Sequence, residues 1–182
     1  MATIVGISGS LRRGSFNTAL LRAAAELMPA GHTLQIESIQ DIPLYNFDLE
    51  VQGIPKRVVE LKAAISKAGG LLLATPEYNN SIPGVLKNAI DWLSRPPADI
   101  AGVFRGKPVG IMGASPGGFG TILSQNEWLP VLRTLGTKPW FAGRLLVSRA
   151  QTVFDENGRI IDDAIKQQLK TFVQGFVEFV ES

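Results

Sequence analysis

Short apolar runs alternate with amphipathic stretches five times along the 182 residues of this chain. Residues 3–7, Thr3-Ile4-Val5-Gly6-Ile7, are β-branched and apolar throughout, as a strand covered on both faces must be. A helical pattern follows from Thr18, with Leu20, Leu21, Ala24, Ala25 and Met28 on one side, until Pro29 and Gly31 end it. The cycle repeats with a strand at 33–39 and a helix at 55–67, a strand at 70–75 and a helix at 83–94, then a strand at 108–112. Residues 119–135 read as helical, with Pro130 starting a new segment or kinking it. The fifth strand falls at 141–147, interrupted by Gly143, and an amphipathic helix at 163–180 closes the chain after an Asp155-Glu156-Asn157-Gly158 turn. Five such units imply one open parallel sheet with helices on both faces, a three-layer α/β/α domain covering residues 1–182.

Composition narrows the chemistry. With 45% hydrophobic and 19% charged residues the chain folds around a core. No apolar run reaches the roughly 18 residues that a membrane span requires. The first residues lack a basic, cleavable leader, so the expected location is cytoplasmic. The absence of cysteine excludes disulfides, thiolate nucleophiles and thiolate-bound metals, and one histidine, His32, excludes any two-imidazole site. A net charge of +2, with scattered basic residues, gives no nucleic-acid stripe.

Parallel sheets of this kind bind ligands beyond the carboxyl ends of their strands. Three loops there are rich in Gly, Ser and Pro. After the first strand, Ser10, Leu11, Arg12, Arg13, Gly14, Ser15, Phe16 and Asn17 set hydroxyls and a helix N-terminus together, an arrangement suited to an anion. A capped helix start with a polar loop would read the same way. The loop is neither a Gly-x-Gly-x-x-Gly fingerprint nor a lysine-bearing phosphate loop. After the third strand, Pro76, Glu77, Tyr78 and Asn79 lie between two prolines, where N–H groups from Glu77 to Asn79 can face a planar ligand; a plain strand-to-helix turn is the alternative. On the next helix Trp92 lies off the apolar stripe of Val85, Leu86, Ala89, Ile90 and Leu93, placed for a subunit contact. After the fourth strand, Gly113-Ala114-Ser115-Pro116-Gly117 matches a nucleophile elbow. No histidine follows Ser115, and Pro116 has no N–H for an oxyanion, so hydrolysis is excluded. A close-approach loop around Ser115, Gly117 and Gly118 remains, or a simple turn.

The segments Gly9-Ser10-Leu11-Arg12-Arg13-Gly14-Ser15-Phe16-Asn17 and Pro76-Glu77-Tyr78-Asn79-Asn80-Ser81-Ile82-Pro83-Gly84, continued to Arg95, resemble the NAD(P)H-dependent FMN reductases, and more closely their bacterial quinone/chromate reductase branch. The resemblance implies a flavodoxin-like fold with strand order 2-1-3-4-5 and bound FMN. It implies a hydride passed from NADPH or NADH to FMN and on to quinones, azo compounds, flavins or chromate, in a homodimer or homotetramer. It assigns the phosphate to Ser10 through Asn17 and the ring edge to Pro76, Glu77, Tyr78 and Asn79. Closure of the site falls to Ser115, Gly117 and Gly118, and no amino acid acts as a catalyst. The competing readings are a one-electron flavodoxin-type carrier and a non-catalytic FMN-binding module; the +2 charge speaks against the carrier, whose docking surface is typically acidic.

Overall fold

The computed structural model, which describes residues 1–182, turns each apolar run into a strand of one parallel sheet. Strand β1 (Thr3–Ser8) lies between β2 (Thr33–Glu37) and β3 (Gly70–Ala74), and β3 pairs with β4 (Pro108–Ala114). The place beyond β4 is shared by β5 (Lys138–Pro139) and β6 (Leu145–Val147), both paired with β4. The order is the expected 2-1-3-4-5. In register, Val5 faces Gln35 on one side and Leu71 on the other, and Leu71 faces Val109.

Eight helices flank the sheet: α1 (Phe16–Glu26), α2 (Phe47–Glu50), α3 (Lys56–Lys67), α4 (Gly84–Leu93), α5 (Ile100–Val103), α6 (Ile122–Thr134), α7 (Ala150–Val153) and α8 (Asp163–Glu181). Successive strand residues point to opposite faces, which divides the core in two. Ile4, Leu72 and Met112 pack with Leu20 and Leu21 of α1 and Phe172 and Phe176 of α8. Val5, Ile7, Leu71 and Leu73 pack with Val58 and Leu61 of α3, Ile90 of α4 and Trp128 of α6. This is a flavodoxin-like three-layer sandwich.

Three expectations need correction. The fifth strand is two stubs, because residues 141–144 leave the sheet after Trp140 N–H makes a last bond to the Val109 carbonyl of β4. The Trp140 indole lies against Phe172 at 5.0 Å and against Gly143, where a Cβ would stand 2.1 Å from the ring. Helix α6 runs through Pro130 as one element, so Pro130 starts no new segment. Pro130 and Asn126 are both exposed, so the Asn126 carbonyl that loses its i+4 donor can be hydrated. Trp92 is not at a surface: it is fully buried and donates from Nε1 to the Pro43 carbonyl at 2.8 Å. The segment before α2 covers α4 on a second side, which a single-stripe reading does not anticipate.

Candidate functional site

The carboxyl ends of β1, β3 and β4 carry the three loops to one rim of the sheet. In the first, hydroxyls organise the backbone: Ser10 N–H donates to Ser8 Oγ (3.3 Å), Arg12 N–H to Ser10 Oγ (3.4 Å) and Ser15 N–H to the Arg12 carbonyl (3.1 Å). Ser15 caps α1, its Oγ accepting from Thr18 N–H at 3.2 Å. The N–H groups of Leu11, Arg13, Gly14, Phe16 and Asn17 have no partner within the chain. Together with the positive end of α1 they offer a concentration of donors to an anion. The Arg12 guanidinium lies 5.1 Å from the Phe16 ring centre, and Phe16 stacks on Phe154 at 5.7 Å, which holds Arg12 along the loop. Arg13 is exposed and, with Arg22, lines a small cavity of about 140 Å³ against the 154–158 turn. The Asn17 side chain bonds both the carbonyl and the N–H of Ala114, which commits its amide oxygen and one amide hydrogen to the fold.

Gly9 N–H donates to the Ala74 carbonyl at 2.8 Å, which binds the first loop to the start of the second. There Asn79 and Asn80 have φ of 50° and 61°, and Tyr78 and Ser81 exchange two backbone hydrogen bonds of 3.1 and 3.0 Å. That is a two-residue turn of type I′, with asparagine supplying both left-handed positions. The Tyr78 N–H is thereby engaged, while those of Glu77 and Asn79 have no partner within the chain. Of the three N–H groups expected from Glu77 to Asn79, two remain, one before the turn and one within it, with the engaged Tyr78 between them. The Tyr78 side chain is half-exposed.

In the third loop, Ser115 is occupied by the fold. Its N–H donates to the Val147 carbonyl, its carbonyl accepts from Ala150, and its hydroxyl donates to the Gly120 carbonyl. Gly117 and Gly118 are exposed, and a Cβ at Gly118 would touch nothing. Nowhere do three His, Cys, Asp or Glu side chains gather as metal ligands. The perturbed carboxylate and phenol of the chain lie between α2 and α4. There the Arg95 and Tyr45 hydrogen bonds hold the Glu50 carboxyl below the ordinary glutamate range, and the bond to Glu50 raises the Tyr45 phenol.

The model of the NADPH-dependent FMN reductase family matches residues 2–152. The chain belongs to this family. It is 44% identical over 171 residues to an NAD(P)H-dependent FMN reductase of Pseudomonas aeruginosa, covering 94% of this chain and 91% of the relative. It is 37% identical over 177 residues to a 2-hydroxy-1,4-benzoquinone reductase of a Burkholderia species, covering 97% and 95%. Among solved structures, the flavoenzyme NAD(P)H:(acceptor) oxidoreductase FerB of Paracoccus denitrificans superposes with a TM-score of 0.89 at 32% identity, over 100% of this chain and 98% of that one.

Two features of this family member escape a reading of its sequence. The Glu77 carboxylate accepts from Leu123 N–H (2.9 Å) and Ser124 N–H (3.1 Å) at the start of α6. Beneath it, the Thr75 hydroxyl donates to the Pro76 carbonyl (2.9 Å) while its oxygen meets Ser124 Oγ (2.8 Å) and Trp128 Nε1–H (3.1 Å). Both join residues about fifty positions apart, beyond the reach of any local pattern.

Proposed function

We propose that the chain is an FMN-dependent oxidoreductase that passes a hydride from NADPH or NADH to quinones and related acceptors. One observation carries this reading. The loops after β1 and β3, tied together by Gly9 and Ala74, leave backbone N–H groups without partners on one rim: those of Leu11, Arg13, Gly14, Phe16 and Asn17 around a helix start, and those of Glu77 and Asn79 before and within a rigid turn. A phosphate needs the first set, and the polar edge of a flat heterocycle needs the second. The quinone and FMN reductases among the relatives support the same assignment.

When bound, FMN supplies the hydride acceptance and release, so the protein is asked for placement rather than for a nucleophile. In this reading Ser10, Leu11, Arg12, Arg13, Gly14, Ser15, Phe16 and Asn17 hold the phosphate, chiefly through main-chain donors and the charge of Arg12 or Arg13. Pro76, Glu77, Tyr78 and Asn79 border the ring, and Gly117 and Gly118 let the third loop approach it. Ser115 serves by fixing that loop. Nicotinamide and acceptor take turns at one exposed face. The proposal extends to azo compounds, flavins and chromate as acceptors, to a homodimer or homotetramer, and to the cytoplasm.

The absorbance spectrum of the purified protein, with FMN titration, tests the reading first. A yellow protein that takes up FMN at micromolar levels or below supports it; a colourless one that refuses FMN overturns it. Anaerobic addition of NADPH or NADH then bleaches the flavin band. Steady-state rates against a benzoquinone give parallel initial-rate lines, and intersecting lines overturn the alternating use of one face.

A further inference from the structure

Helix α6 starts without a local cap. Its N-cap residue, Thr121, makes no capping hydrogen bond, and the Thr121 Oγ1 accepts instead from Gln125 Nε2 at 3.1 Å. The first N–H groups of a helix need acceptors, and a negative charge there is favoured by the helix dipole. Here the acceptor arrives from another loop: Glu77 Oε2 takes both Leu123 and Ser124. Glu77 is itself pinned on either side. Before it, the Thr75 hydroxyl holds the Pro76 carbonyl; after it, Tyr78 opens the type I′ turn. Its own N–H is an unpaired donor of the second loop. Helix α6 in turn continues the third loop directly, from Gly117 and Gly118 through Gly120.

We propose that Glu77 is a positioning residue whose carboxylate couples the second loop to the third through the start of α6, so that FMN binding and the order of the first turn of α6 strengthen each other. The inference rests on the functional reading above. It gives the side chain no proton-transfer role: its part is to accept two backbone N–H groups at the helix start. By linkage, whatever Glu77 transmits from ligand to helix it transmits equally from helix to ligand.

Amide hydrogen exchange at Leu123 and Ser124, with and without FMN, tests this alongside the FMN dissociation constant measured by flavin fluorescence. In the parent protein FMN slows both amides by about tenfold. Glu77→Ala abolishes the slowing and weakens FMN binding by about tenfold. Glu77→Gln retains an acceptor oxygen and recovers most of both effects, which a general loss of stability would not do. If Glu77→Ala does not fold, Glu77→Asp, one methylene short of the same N–H groups, replaces it with the same expectation. The coupling is overturned if FMN affinity in the Ala or Asp variant stays within about twofold of the parent, or if FMN slows the two amides equally in both. A parent protein that takes up no FMN overturns the functional reading and the coupling together, whereas an uncoupled variant of an FMN-binding parent overturns the coupling alone.

Discussion

Asn17 and Ala114 are joined by a reciprocal pair of hydrogen bonds: Asn17 Nδ2 donates to the Ala114 carbonyl at 2.9 Å, and the Ala114 N–H donates to Asn17 Oδ1 at 3.0 Å. A side-chain amide thus stands beside β4 where β3 has already ended, with the donor and acceptor of a peptide group. It fixes the first turn of α1, and so the first loop, to the rim from which the third loop departs.

Removing that amide leaves a buried donor and a buried acceptor unpaired. Asn17→Ala is expected to destabilise the FMN-free protein by about 2–4 kcal/mol, measured by urea unfolding. A loss under 1 kcal/mol would mean that water enters and serves Ala114.

Gly113 has no room for a side chain. A Cβ there would stand 2.0 Å from Thr121 Oγ1 and 2.3 Å from the Thr75 carbonyl oxygen, one of them backbone. Gly113→Ala should cost at least about 3 kcal/mol, the upper end of the overpacking range, and lower the thermal midpoint accordingly. A midpoint unchanged from the parent contradicts the packing described for the end of β4.

Trp92→Phe keeps an aromatic ring against Tyr45, now 5.0 Å away edge to face, but removes the donor to Pro43. The expected outcome is about 1–3 kcal/mol of lost stability with no change in sedimentation behaviour. Altered association would restore Trp92 to a subunit contact.

The pH dependence follows from Glu50. Its carboxyl is held below the ordinary glutamate range, first by Arg95 and next by Tyr45. The unfolded chain therefore takes up a proton at a pH where the folded chain does not. The contribution is complete above the ordinary glutamate pKa and is lost as pH falls through that range toward the lower folded value. Urea unfolding of the parent and of Glu50→Gln across pH 3 to 7 (a range chosen around the ~4.3 of free glutamate) should show a shallower acid slope in the variant. Identical slopes would mean that Glu50 does not titrate differently on folding.

Asn80 sits at φ 61° in the turn of the second loop. Alanine resists that conformation and glycine does not, so Asn80→Ala should cost about 1 kcal/mol and Asn80→Gly much less. Equal losses, read from urea midpoints, would argue that the Asn80 side chain rather than its backbone matters.

The sheet was legible because β1, β3 and β4 are buried on both faces, and burial on both faces writes an uninterrupted apolar run into the sequence. The positions of the three loops follow from those strands, so the rim of the site was legible too. What the loops do with their side chains was not. Asn17 and Glu77 are ordinary polar residues whose partners lie at Ala114 and Leu123, and nothing nearby in sequence reveals a partner 97 or 46 residues away. The type I′ turn was hidden because Asn-Asn is a weaker signal than Asn-Gly. Trp92 was misplaced because the segment covering it has no regular period of its own.

The division of the outer strand into β5 and β6 bears on how the protein behaves at high concentration. Two stubs of two and three residues, separated by a detour pinned at Trp140, present no continuous row of free peptide groups along that margin. A foreign strand arriving there finds no template to extend, so this side of the molecule is protected against the edge-to-edge stacking that leads to aggregates.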